Sequence, residues 1–119
     1  MHIDLLTLGI VVLTVATALI HLILGITLGP PSLRLFPLLF YLNAIGYLVL
    51  VTALYVPRLL PFQHIVRWVL ILYTALTFAL WFILAPHRDL DGYIDKAIEI
   101  ALIILLVIDD RRRSLPEWA

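Results

Sequence analysis

Four stretches of almost unbroken apolar residues, separated by short breaks, set the pattern of the chain: Leu5 to Leu28, Leu35 to Val56, His64 to Ala85 and Tyr93 to Ile108. Each holds about 16–24 residues, close to the roughly 20 that carry an α-helix across a hydrocarbon core. The apolar positions are continuous and do not alternate with period two, which excludes the strands of a membrane barrel. Gly29-Pro30-Pro31 stops the first run and Ser32-Leu33-Arg34 leads to the second. Pro57-Arg58-Leu59-Leu60-Pro61 and Pro86-His87-Arg88-Asp89-Leu90-Asp91-Gly92 form the other two breaks. Pro37 falls in the first turn of the second run, where its missing N–H costs little.

Breaks this short place consecutive helices antiparallel. The pattern therefore predicts an all-α membrane protein, a four-transmembrane-helix up-down-up-down bundle forming one domain over residues 1–119, with spans at about 5–28, 35–56, 64–85 and 93–108. The opening Met-His-Ile-Asp has no basic region and no small-residue cleavage site, and the run after it is long for a signal peptide, so it is expected to remain as the first span. Four spans put both termini on one side. That side carries Arg58, Arg67 and Arg111-Arg112-Arg113, against Arg34, Arg88 and Lys96 opposite. Positive residues favour the cytoplasm, so both termini are expected there, in the plasma membrane. Tyr55, Trp68 and Trp118 near one face, and Trp81 and Tyr93 near the other, fit interfacial aromatic belts.

Polar residues inside the runs are few and fall at similar heights. His21 precedes the end of the first run by seven residues, Asn43 lies about as far into the second, and Glu99 about as far into the fourth. At 1.5 Å per residue each is roughly 10 Å below the outer edge. Thr74, Thr77 and Trp81 supply the third run at that level, with Tyr41, Tyr47 and Lys96 within a turn. These nine residues, His21, Tyr41, Asn43, Tyr47, Thr74, Thr77, Trp81, Lys96 and Glu99, are the candidate site or polar network. Helical side chains tilt toward the N-terminus, so Asp95 and Lys96 are expected to reach the outer interface, whereas Glu99 needs a protein partner, His21 or Lys96. Arg67 is expected to snorkel to the headgroups.

Composition sharpens this picture. Of 119 residues, 64% are hydrophobic and 13% charged, against about 45–50% and a quarter in soluble domains. Net charge is zero, leaving no electrostatic case for nucleic acid. Cysteine is absent, which removes disulfides and thiolate metal sites. A bis-histidine haem needs two histidines at matching heights; His21, His64 and His87 fall at three different ones, which disfavours it. No Glu-x-x-His pair or other zinc or di-metal pattern is present, so no metal and no cofactor is expected, with a quinone or lipid left open as a ligand. His87 with Asp89 and Asp91 reads as a solvated turn. The arginine run reads as a stop signal able to touch anionic lipid. No nucleophile–base motif, phosphate loop or internal repeat is found, so an enzyme is not expected.

The stretches His21-Leu22-Ile23-Leu24-Gly25, Tyr73-Thr74-Ala75 with Trp81, and Asp95-Lys96-Ala97-Ile98-Glu99 resemble a family of small four-span prokaryotic integral membrane proteins of uncharacterised activity. The resemblance implies the four-span architecture and no reaction. It also implies an amide at the position of Glu99 in many members, so that a carboxyl group here is a departure and weakens a proton-transfer role. Two functions stand at this level. One is a non-enzymatic accessory subunit or homo-oligomer, with the lipid bilayer and other membrane subunits or itself as partners. The other is a binder or carrier of a small amphiphile or proton at the His/Asn/Glu layer.

Overall fold

The computed structural model describes residues 5–28, 35–84 and 90–114. They form four α-helices, α1 (Leu5–Leu28), α2 (Leu35–Tyr55), α3 (Gln63–Leu84) and α4 (Leu90–Ser114), with a short 3-10 turn over Pro57–Phe62. The breaks at Gly29-Pro30-Pro31 and Ser32-Leu33-Arg34, the turn residues His87, Arg88 and Asp89, and Trp118 lie outside the described residues.

The first three helices match their apolar runs within a residue or two. α4 starts earlier and continues through the arginines to Ser114, beyond the expected end at Ile108. The reason is local: Asp109 accepts hydrogen bonds from Arg112 and Arg113, three and four residues on, and basic side chains in a last turn complement the helix dipole.

Each helix turns one heptad-spaced face inward. On α1 the buried positions include Thr7, Ile10, Thr14, Thr17 and His21; on α2 Ala44, Tyr47, Val51 and Leu54; on α3 Arg67, Leu70, Thr74 and Thr77. α1 packs on α2 and α4, and α3 packs on the same two helices, so the four close a ring with α1 and α3 on one diagonal. Tyr73 packs against Gly46 where any Cβ would overlap its ring, and its hydroxyl donates to the Asn43 carbonyl at 2.8 Å. The glycine thus makes room for an aromatic ring.

The outer surface is apolar. α1, α2 and the segment Pro57–Ile83 are long and apolar enough to cross a membrane. α4 does not qualify by the same measure, because charges occupy both of its ends. Five of those charges point inward: Asp95, Lys96, Glu99, Asp109 and Asp110 are buried, with Leu102 and Leu106 between them, while Arg111, Arg112 and Arg113 are exposed. The exposed side of α4 consists largely of Tyr93, Ile94, Ile100, Ile104 and Ile108. This is the reverse of a water-facing amphipathic helix.

At the end of the bundle that holds the C-terminus of α4, Arg67 does not snorkel. Only 2% exposed, it donates through Nε to Asp109 at 3.1 Å and through Nη1 to Asp110 at 2.8 Å. Asp110 also pairs with His64 Nδ1 at 2.6 Å and accepts from Trp68 Nε1 at 3.1 Å. Two aspartates adjacent on α4 stand ready inside the bundle, and satisfying them is better than leaving a buried carboxylate unpaired. Membrane headgroups lose that competition.

Candidate functional site

The second buried polar group lies toward the other end, about 15 Å along α4 from Asp109 at 1.5 Å per residue. α1 supplies Thr17 and His21, one turn apart on its inward seam. α4 supplies Asp95 and Glu99, also one turn apart, with Lys96 between them. α2 adds Tyr47. All six are at most 4% exposed.

The hydrogen bonds orient the imidazole and show which of its nitrogens donates to Thr17. The Thr17 hydroxyl donates to Asp95 Oδ1 at 2.5 Å, which commits its only proton. His21 Nδ1 lies 2.7 Å from the Thr17 carbonyl oxygen and 3.4 Å from the Thr17 hydroxyl oxygen. Both neighbours can only accept there, so Nδ1 carries the proton. In the neutral ring Nε2 is then an unprotonated acceptor. It faces Asp95 Oδ2 at 3.5 Å and Glu99 Oε2 at 4.0 Å, longer than an N–H···O hydrogen bond of about 2.7–3.2 Å.

The carboxylates have other supports. Lys96 Nζ donates to Glu99 Oε1 at 2.5 Å and lies 3.2 Å from Asp95 Oδ2. The Tyr47 hydroxyl donates to Glu99 Oε2 at 3.0 Å, spanning the bundle from α2 to α4. Phe40 and Tyr47 flank the imidazole, with ring centroids 5.7 and 5.9 Å away. Trp81 of α3 covers the lysine, whose Nζ is 5.7 Å from its ring. Trp81 can come this close because Gly92 offers no Cβ to meet its indole. Counted formally, two carboxylates against one ammonium leave one negative charge inside the bundle.

Of the nine expected residues, the structure brings His21, Tyr47, Lys96 and Glu99 together and sets Trp81 over them. Asn43 reaches the cluster only at one remove, through Thr77, which like Thr74 is a hydrogen-bonding neighbour of the Tyr47 hydroxyl. Its Nδ2 donates to Thr77 Oγ1 at 2.7 Å, joining α2 to α3. Thr74 returns its hydroxyl to the Leu70 carbonyl at 2.8 Å, and Tyr41 is half-buried outside this set of bonds. The expected meeting of imidazole, carboxamide and carboxyl is therefore corrected to imidazole, two carboxylates and an ammonium.

Asp95 and Lys96 are corrected as well, since neither reaches an interface: they are 1% and 3% exposed. Lys96 is held inward by two carboxylates and Asp95 by Thr17 and Lys96. The seam signal that finds Asp95 is the spacing Asp95, Glu99, Leu102, Leu106 on α4, met by Thr14, Thr17 and His21 on α1.

The expectation that no metal-ligand set exists is also too narrow. His21, Asp95 and Glu99 each offer a ligand atom, all within 4.8 Å of one another. Nothing in their sequence spacing announces it, because the set is shared between helices more than seventy residues apart in the chain. An apolar groove of about 300 Å³, lined by Ile20, Ile23, Leu24 and Ile94, lies alongside. Among the described residues, none of the groove's lining belongs to the polar cluster.

No family model matches the chain. No curated protein matches it, and no solved structure does. The resemblance drawn from the sequence accordingly carries no assignment, and the site stands on its geometry: a buried polar network in an all-α bundle, with a His/Asp/Glu cluster able to hold a ligand or a metal ion.

Proposed function

We propose that the protein is a small membrane-embedded binding protein that takes up a cation between His21, Asp95 and Glu99. One observation carries the reading: an imidazole nitrogen and two carboxylate oxygens converge within 4.8 Å of one another, and the donors beside them, Lys96 and Tyr47, serve the carboxylates. Three acceptors facing one another repel, and in a low-dielectric interior an excess negative charge is costly. A bound cation removes both penalties. A purely structural layer has no need of the excess charge, because neutral hydrogen bonds tie helices together equally well.

The same reading makes α4 a fourth span. From Tyr93 to Asp110 its charges are paired within the bundle and its outward residues are apolar, so that stretch can face lipid despite the helix's composition. With four spans, the exposed Arg58 and Arg111 to Arg113 at one end favour a cytoplasmic position for both termini.

The variant Glu99→Gln tests the cation reading without knowledge of the ion. The amide keeps the shape, removes the excess charge and supplies an N–H toward Nε2. The unliganded variant should melt higher than the unliganded parent in mild detergent, by a few degrees for about 1 kcal/mol. A structural layer, which would lose its Lys96–Glu99 ion pair, would instead melt lower.

A further inference from the structure

We infer that the ion is a divalent first-row transition metal of the zinc type, ligated by His21 Nε2, Asp95 and Glu99, and that Lys96 is the counter-ion it displaces. The inference rests on the cation reading above and adds the chemistry of the ion.

Three features select the class. The first is the histidine tautomer. Metal-ligating histidines donate their other ring N–H to a carbonyl or carboxylate, which orients the ring and raises the basicity of the ligating nitrogen. His21 does this through Nδ1 to the Thr17 carbonyl at 2.7 Å, leaving Nε2 aimed at the two carboxylates. The second is the separation of the donors. Ligands at about 2.1 Å around a tetrahedral ion lie about 3.4 Å apart. Nε2 is 3.5 Å from Asp95 Oδ2 and 4.0 Å from Glu99 Oε2, and all three donors lie within 4.8 Å of one another, so the two carboxylates draw together to close on an ion. The third is the donor set together with its burial. An imidazole nitrogen favours zinc, nickel, copper or iron over magnesium and calcium, which take oxygen. Magnesium also keeps several waters, and donors at most 4% exposed do not accommodate a hydrated ion.

The supports of the carboxylates complete the arrangement. Thr17 holds Asp95 Oδ1 and Tyr47 holds Glu99 Oε2, so each ligand carboxylate is positioned by a neutral hydroxyl that stays in place when a cation arrives. Lys96 is different. Its ammonium lies 3.2 Å from Asp95 Oδ2, the oxygen that faces Nε2, and a divalent ion at that oxygen repels it. Loading the metal therefore requires the lysine to give up Asp95. Lys96 weakens metal affinity and, in the empty protein, limits the cost of two buried carboxylates. Three protein donors leave a four-coordinate ion one further position, as in zinc sites that bind a small ligand.

The test uses the full chain in mild detergent, stripped with a chelator and titrated separately with Zn²⁺, Co²⁺ and Mg²⁺. Metal content and, for Co²⁺, the visible absorption of a low-symmetry nitrogen–oxygen site are read. Zn²⁺ and Co²⁺ should bind one per chain and Mg²⁺ should not. His21→Ala and Asp95→Asn should each lose binding by about a hundredfold or more, in the range of losing a ligand or its support. Lys96→Met should bind about tenfold tighter, as expected for removing one nearby positive charge. The two ligand variants report independently, should one of them fail to fold. Binding of Mg²⁺ with His21→Ala indifferent would overturn the metal class and leave a carboxylate cation site. No metal binding by a folded chain, with Glu99→Gln still raising the melting temperature, would overturn the metal inference alone. No metal binding together with a lower-melting Glu99→Gln would overturn the cation reading as well.

Discussion

His21 can turn only one ring nitrogen to the carboxylates, because Thr17 holds the other. The Thr17 side chain does two things at once: it spends its proton on Asp95 and leaves its oxygens as acceptors for Nδ1–H. Thr17→Val keeps the β-branched shape and removes the hydroxyl, so Asp95 Oδ1 loses its donor. A buried acceptor left unsatisfied costs about 1–3 kcal/mol, and urea or thermal unfolding in detergent should show a loss of that size. Unchanged stability would mean that Asp95 is not held by α1. At this scale the sequence was only half legible. Glu99, His21 and Lys96 stand out as ionisable residues within apolar runs. Asp95 does not, because rules for isolated helices send a residue near a helix start to the interface, and only the facing Thr17 draws it in. Arg67 fails for the same reason, since its partners lie forty-two and forty-three residues away.

Along the helices, the inward seams are more regular than their apolar composition shows. Spacings of three and four recur on α1, α2 and α3 regardless of whether the residue is Ile, Thr, Tyr or Arg. The helix positions were legible from the runs because length against bilayer thickness decides them. The seams were not, since a helix apolar on all sides has no polar face to mark its orientation. α4 is the exception, with charges at both ends of one face. At its C-terminal end, Asp110 lies beyond the expected span over 93–108. Partial burial pushes its carboxyl up, but hydrogen bonds from His64, Arg67 and Trp68 outweigh this and hold it below the ordinary aspartate value. A carboxyl lowered in the folded state contributes stability that is present above the unfolded value, about 3.9, and lost as pH falls through the folded one. Melting temperature should thus decline on acidification below about pH 4, and Asp110→Asn should flatten that part of the decline. An identical acid profile in the variant would contradict the assignment.

For the whole molecule, the two polar groups divide the labour. The Arg67–Asp109–Asp110 group joins α3 to α4 and is internally balanced, each aspartate meeting a cation. The His21–Asp95–Glu99 group joins α1 to α4 and is short of one positive charge. The difference separates a fastening from a binding site within one scaffold. Whether α4 spans follows from the same accounting, and the cysteine-free chain makes it easy to measure. Single cysteines at His2 and Glu117, probed with a membrane-impermeant maleimide on oriented vesicles, should both label from the same side. Labelling from opposite sides would indicate three spans and place the carboxylates of α4 at an interface.

The central claim is that His21 presents an unprotonated Nε2 to two carboxylates so that a cation can sit between them. The ¹⁵N resonances of the His21 ring, recorded in uniformly labelled protein in detergent micelles before and after one equivalent of Zn²⁺, test it most directly. Before addition the account predicts the Nδ1–H tautomer, with a bare Nε2; after addition the Nε2 resonance alone should move to the metal-bound range. An Nε2–H tautomer in the stripped protein, or a ring whose two nitrogens ignore the ion, would contradict it.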